Sequence, residues 1–141
     1  MELAKLILPM KTVEFEYPGV EGLKFKLSYL SKKELTRMRK SHLKLIKNKI
    51  SKQFVEELDE DGFMNEYVPS VIKDWSGLNL GNIQEFVIVG DSEDPSKGVP
   101  YSPENAYELL TNSQDLDTWV SEMISEIENF RNQDSKKNEE S

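Results

Sequence analysis

Two helix-boundary signals flank an irregular acidic loop within residues 71–110, and they constrain the fold more than any other part of the sequence. Ser102 is followed by Pro103, a pair typical of a helix whose N-cap is serine and whose first position is proline. Gly77 follows Trp75 by two residues and can supply the left-handed conformation that ends a helix. We therefore predict that one helix ends near Gly77, that another begins at Ser102, and that the two hold the loop closed.

Residues 11–30 alternate apolar and polar side chains on both sides of a Pro-Gly turn region. This period of two predicts a β-hairpin. Glutamates on the first strand can face lysines on the second, which is a favourable cross-strand pairing. Because a lone hairpin is only marginally stable in water, it must pack on helices or on another chain.

From residue 31 onward the apolar residues recur mainly at helical spacing. Ser31 and Glu34 have the spacing of a capping box, and an apolar stripe follows them as far as Phe54. A second stripe covers residues 63–75, where Pro69 predicts a kink or a restart of the helix. Both segments are therefore interpreted as helices.

A last amphipathic helix is predicted over residues 114–130, while residues 86–89 form a short β-like run. The fold class predicted from these patterns is mainly α, a small helical domain of about four to five helices with an N-terminal β-hairpin. Residues 1–131 would form this single domain. Residues 132–141 contain no apolar side chain and are predicted to be a disordered polar tail.

Charge is distributed unevenly along the chain. Residues 1–54 carry 13 Lys/Arg and 5 Asp/Glu, a net +8, whereas residues 55–141 carry 5 and 21, a net −16, and the two give the total of −8. Nine of the basic residues fall in residues 32–52 against the single acid Glu34. That density is typical of nucleic-acid binders, but no aromatic residue is interleaved for base stacking. A solvated face that pairs with acidic segments, of this chain or of a protein partner, is the favoured interpretation.

No arrangement of residues indicates catalysis or metal binding. Cysteine is absent, and the single histidine, His42, lies on an apolar stripe and is interpreted as a packed or half-buried side chain. The acidic residues 57–62 match the start of an EF-hand loop, but Val68 occupies the position that requires a bidentate glutamate. We predict a non-enzymatic protein without a cofactor. No apolar run approaches the ~20 residues needed to span a bilayer, and the N-terminus lacks signal-peptide features, so no membrane contact is expected.

An ordered set of motifs in the second half of the chain resembles the tail assembly chaperones of long-tailed bacteriophages. The order is an apolar helix, Asp-Trp-x-Gly-Leu, an irregular loop, Pro-Tyr-Ser-Pro-Glu-Asn, Leu-Leu and an acidic amphipathic helix, and it extends over residues 50–131. The matching motif residues are Asp74, Trp75, Gly77, Leu78, Pro100, Tyr101, Ser102, Pro103, Glu104, Asn105, Leu109 and Leu110. The hairpin and the basic segment are not part of the likeness.

The resemblance implies a small, mainly helical protein made in the cytoplasm of the infected bacterium. Such proteins coat the long, apolar, helix-prone tape measure protein, keep it soluble and help to recruit tail tube subunits around it. They are absent from the finished virion. In many phages a ribosomal frameshift appends a second domain to a fraction of the product. Self-association of the chaperone remains open.

The candidate client-binding surface is a groove between the apolar helices. Methionine and aromatic side chains suit grooves that accept helices of variable sequence, and the candidates are Trp75, Tyr101, Tyr107, Leu110, Trp119, Met123 and Ile127. Two alternatives stay open. One is a structural tail or head–tail connector protein retained in the virion, and the other is a small nucleic-acid-binding regulator that uses residues 32–52.

Overall fold

The computed structural model describes residues 2–90 and 94–131, so the predicted polar tail at 132–141 lies outside the described residues. Within these described residues, five strands and five α-helices follow one another, together with short 3-10 turns at Leu3–Lys5 and Asn82–Glu85. The strands are β1 (Met10–Glu16), β2 (Lys24–Leu30), β3 (Leu43–Lys47), β4 (Phe54–Leu58) and β5 (Ile72–Ser76). The helices are α1 (Lys32–Lys40), α2 (Glu60–Val71), α3 (Pro103–Asn112), α4 (Gln114–Ser125) and α5 (Glu128–Arg131).

A three-stranded antiparallel sheet in the order β1-β2-β5 forms one layer of the fold. The predicted N-terminal hairpin is confirmed as β1 and β2, and lysines 24 and 26 face glutamates 16 and 14 across it. The buried side of the sheet packs on α2 and α4, and α3 packs on both of these helices. The resulting core contains Leu23, Phe25, Leu27, Val68, Val71, Ile72, Trp75, Leu109, Leu110, Leu116 and Val120.

The helix-start signals are confirmed. The hydroxyl of Ser102 accepts a hydrogen bond from the backbone N–H of Asn105 at 3.0 Å, and the hydroxyl of Ser31 accepts one from Glu34 at 3.1 Å. Each bond satisfies an N–H group that the first helical turn leaves without a partner.

The mainly α fold class is wrong, because the described residues form a mixed α/β structure with 43% helix, 24% strand and two antiparallel sheets. One source of the error is residues 72–76, which continue an apolar stripe but form β5 instead of a helix end. Pro69 lies one turn before the end of α2 and cannot donate a helical hydrogen bond. Tertiary pairing then decides the conformation, since β5 completes the sheet beside β2 and buries Ile72 and Trp75.

The second source of error is the basic segment, where the predicted helix ends at Lys40. Residues 43–58 form a separate antiparallel hairpin, β3 with β4, which we call the arm. Short apolar runs do not distinguish helix from strand by periodicity, and here the turn decides. The side-chain oxygen of Asn48 accepts hydrogen bonds from the N–H groups of Ile50 and Ser51 and so fixes the reversal.

The structure also differs from two predictions for the second half of the chain. Residues 86–89 form no strand but follow the 3-10 turn Asn82–Glu85. The predicted helix over residues 114–130 is interrupted after Ser125, where Glu126 adopts an extended conformation, and resumes as the short helix α5.

Candidate functional site

An open cleft of about 680 Å³ lies between residues 78–88 and α3. Its floor is apolar and is formed by Trp75, Leu78, Ile83, Phe86, Val99 and Leu109. Its rim carries two carboxylates and three amides, from Glu85, Glu108, Gln84, Asn105 and Asn112. Ile88 stands beside the rim with its side chain fully exposed (103%). We refer to this surface as the cleft.

The loop wall of the cleft is held by hydrogen bonds within the described chain. Asn79 and Asn82 each accept a bond from the other's backbone N–H, both at 2.8 Å. The amide of Asn82 also donates to the carbonyl of Gly77 at 2.8 Å. Farther along, the N–H of Val99 donates to the carbonyl of Leu78 at 2.9 Å. A wall with this many internal bonds is formed before any ligand arrives.

Two aromatic residues close the base of the loop. The indole N–H of Trp75 donates to the carbonyl of Val99 at 2.8 Å, and the phenol of Tyr101 donates to the carbonyl of Ile72 at 2.5 Å. Their rings meet edge to face with centroids 5.1 Å apart, a favoured geometry for an aromatic pair. The sequence placed these residues on either side of the loop, and the structure shows that they join its two ends directly.

Burial raises the pKa of the Tyr101 phenol above its ordinary value, and the nearby Asp74 carboxylate adds to the rise. Because the folded pKa exceeds the unfolded one, the stabilisation is complete below about pH 10 and is lost as pH rises through the folded pKa. We expect Tyr101→Phe to lower the free energy of unfolding by about 1 kcal/mol at pH 7. This difference from wild type should shrink in urea titrations above pH 10, and a constant difference would contradict the assignment.

The seven residues predicted to bind a client do not line one groove. Trp75 and Leu110 are buried in the core, and of the seven only Trp75 contributes to the cleft. The partly buried members of the set pack against the core, and they are Tyr101, Tyr107, Trp119 and Met123. Ile127 is exposed and lies near the N-terminal segment, far along the chain from the cleft residues.

Trp119 is held by two aromatic neighbours, Tyr17 and Phe25, which also contact Phe86 at the cleft. Its ring lies 4.9 Å from that of Tyr17 and 5.7 Å from that of Phe25, measured between centroids. Two such contacts are worth on the order of 1–3 kcal/mol beyond area burial. Trp119 therefore contributes to the packing of α4 on the sheet.

Sequence reasoning missed most of the cleft floor. Phe86 lies in the predicted β-like run, and Ile83 and Val99 lie in the stretch interpreted as an irregular loop. The available sequence signal was the unbroken apolar run at residues 86–89, which is unusual for a loop. In the described part of the structure this run pairs with no strand.

His42 does not lie on a helix but in the connection between α1 and the arm. Its Nε2 is 2.8 Å from a carboxylate oxygen of Glu66, and Arg37 reaches the other oxygen at 3.2 Å. The hydrogen bond with His42 is the main cause that holds the pKa of Glu66 below its ordinary value. This cluster ties the base of the arm to α2.

The acidic turn before α2 has a structural role. Asp59 is the N-cap, and its carboxylate accepts a hydrogen bond from the N–H of Gly62 at 3.2 Å.

Across residues 2–90 and 94–131, no three His, Asp or Glu side chains are grouped as a metal site would require. Among the same residues, none of the helices combines the length and the apolar character that crossing a membrane demands.

Comparison with protein families relates most of the chain to one of them. A family model described as YdaY prophage protein matches residues 29–141, which include the arm, the cleft and all five helices. The match begins at the end of β2 and leaves out β1. Comparisons with curated proteins and with solved structures gave no match.

Proposed function

The chain belongs to the YdaY prophage protein family and is phage-derived, and from this premise we propose that it is a non-enzymatic tail assembly chaperone. In this proposal it binds and solubilises the tape measure protein in the host cytoplasm and helps to recruit tail tube subunits. The motif order of residues 50–131 supports this assignment, because it resembles that of tail assembly chaperones.

The observation that carries the proposal is the cleft, where partly exposed apolar side chains lie above a buried floor. An amphipathic client helix can lay its apolar face on Ile83, Val87 and Val99, with Ile88 covering one side. Basic client residues would then approach the rim carboxylates of Glu85 and Glu108. Apolar surface rimmed by polar groups is typical of sites that bind other proteins.

The charge of the chain suits this task. Residues 55–141 have 16 more acidic than basic residues, and both α3 and α4 begin with acidic first turns. A net charge far from zero keeps a protein soluble while part of its apolar surface is occupied by a sticky client. A structural protein retained in the virion remains the alternative. Mass spectrometry of purified particles distinguishes them, since the chaperone should be absent.

The test of the cleft compares two exposed isoleucines. We expect Ile88→Asp to weaken binding of the tape measure protein at least about 10-fold, because a carboxylate would have to be buried against an apolar client. Folding should be unaffected within about 0.5 kcal/mol, since Ile88 is fully exposed. The measurement is the amount of soluble tape measure protein co-purified after co-expression.

The matched control is Ile50→Asp, which makes the same change at an equally exposed isoleucine (95%) in the turn of the arm. This variant should keep the client soluble as wild type does. Equal client solubility with Ile88→Asp and wild type, or loss with Ile50→Asp instead, would overturn the assignment of the cleft.

A further inference from the structure

The arm presents apolar side chains to solvent on both faces. In the described part of the chain, β3 and β4 make extensive contact only with each other. Leu45 and Phe54 project on one face, each 67% exposed, and Ile46 and Val55 project on the other. A free two-stranded hairpin with an apolar surface of this kind is marginal in water by itself. Its exposure indicates that something covers it.

Both edges of the arm carry unpaired backbone groups. The N–H of Asp59 donates to the carbonyl of His42 at 2.8 Å, and the N–H of Asn48 donates to the carbonyl of Gln53 at 2.8 Å. Inward and outward bonding alternate along an antiparallel pair. The outward groups are therefore those of Leu43, Leu45 and Lys47 on the β3 edge and of Phe54, Glu56 and Leu58 on the β4 edge.

A strand from a second copy can pair with the arm in the same register that β3 and β4 have with each other. Within the hairpin Leu43 faces Leu58, Leu45 faces Glu56, and Lys47 faces Phe54. These are the same residues whose backbone groups point outward. The β4 strand of a second copy can therefore lie antiparallel along the outer edge of β3. Its hydrogen bonds to β3 would then join the same residue pairs that face each other inside the arm.

Charge selects this pairing over the symmetric ones. Lys44 faces Glu57 within the arm, and the added strand would bring a second Glu57 to its other side. Pairing β4 with β4 about a two-fold axis would instead gather Glu56 and Glu57 of two copies with no basic residue in either strand, and the repulsion between like charges is destabilising. Pairing β3 with β3 would gather the lysines of two copies with no carboxylate between them.

We propose that the arm is a self-association surface, on which the β3 edge of one copy pairs with the β4 edge of the next. Such a contact joins unlike edges, so it does not close on itself and extends into a row of copies. A row would present successive clefts to a long client. That consequence rests on the proposed function, whereas the pairing itself does not.

Two proline variants test the proposal, each blocking one edge. Leu45→Pro removes an outward N–H from β3, and Glu56→Pro removes one from β4; neither N–H is used inside the hairpin, and proline is tolerated on such edges. In sedimentation experiments the mass of the wild-type protein should rise with concentration. Each variant alone should stay monomeric. Their mixture should form a complex of two copies and no larger, since one intact edge of each kind remains.

A charge variant tests the same contact without proline, so its result does not depend on whether the proline variants fold. Glu56 faces Leu45 inside the arm, so Glu56→Lys breaks no internal ion pair. It should still weaken association about 10-fold, by about 1.4 kcal/mol, through repulsion from the lysine-bearing edge. Leu45→Thr, which keeps the backbone N–H, is the matched control and should associate.

Three results would overturn the proposal: a wild-type protein that is monomeric at every concentration, proline variants that still associate alone, or full association of Glu56→Lys. Binding of the tape measure protein is measured in a separate experiment. Leu45→Pro should still retain the tape measure protein through its cleft, so failure of the arm proposal and failure of the chaperone proposal give different results.

Discussion

Replacing Gly77 with alanine should destabilise the fold by at least about 3 kcal/mol or prevent folding altogether. Gly77 ends β5 with a φ of 82°, in the left-handed region that side chains disfavour. A Cβ atom there would also clash with the backbone carbonyl oxygen of Gly22. Because the obstacle is backbone in the β1–β2 turn region, relief requires that β5 move away from the sheet.

Two other glycines separate the causes of this loss. Gly19 has a φ of 84° but open space around its Cβ position, so Gly19→Ala should cost only about 1 kcal/mol. Gly90 has open space and no positive φ, and Gly90→Ala should be neutral within about 0.5 kcal/mol. Urea unfolding followed by circular dichroism measures all three. A Gly77 variant no less stable than the Gly19 variant would show that the close approach of the two backbones is not required.

Replacing Phe25 with alanine should lower the free energy of unfolding by about 3–5 kcal/mol. Phe25 is fully buried in the central strand. Four rings surround it with centroid distances between 5.7 and 6.2 Å, those of Tyr17, Trp75, Phe86 and Trp119. The cavity would therefore lie beneath both the cleft and α4, and little of the surrounding structure can collapse into it.

Phe54→Ala is the control for this loss, since the same change is made at a phenylalanine that is 67% exposed on the arm. Its effect on the unfolding of the domain should be below about 0.5 kcal/mol when measured at low protein concentration. Comparable losses for the two variants would mean that the arm is part of the cooperative core, which would also remove the basis for an unpaired arm.

The residues that line the cleft were only partly predicted from the sequence. Trp75 and Tyr101 were placed beside the loop by the helix signals around them, and both do hold its ends. The other candidates shared apolar character and helical spacing, but these properties do not distinguish a core side chain such as Leu110 from one that lines a cleft. The cleft floor depends on how residues 78–88 fold back on α3, which involves contacts distant in sequence.

The sequence by itself determined the features that depend on neighbouring residues. Ser31 and Ser102 cap their helices because the N–H groups they satisfy lie three residues away, and the alternation in residues 11–30 is enough to specify the first hairpin. The arm also had a local signal, since the Asn48 side chain accepts hydrogen bonds from residues only two and three positions away, although its apolar spacing is compatible with a helix as well. Only the tertiary structure decided the conformation of residues 72–76. Their apolar run is compatible with either helix or strand, and the choice came from pairing with the free edge of β2.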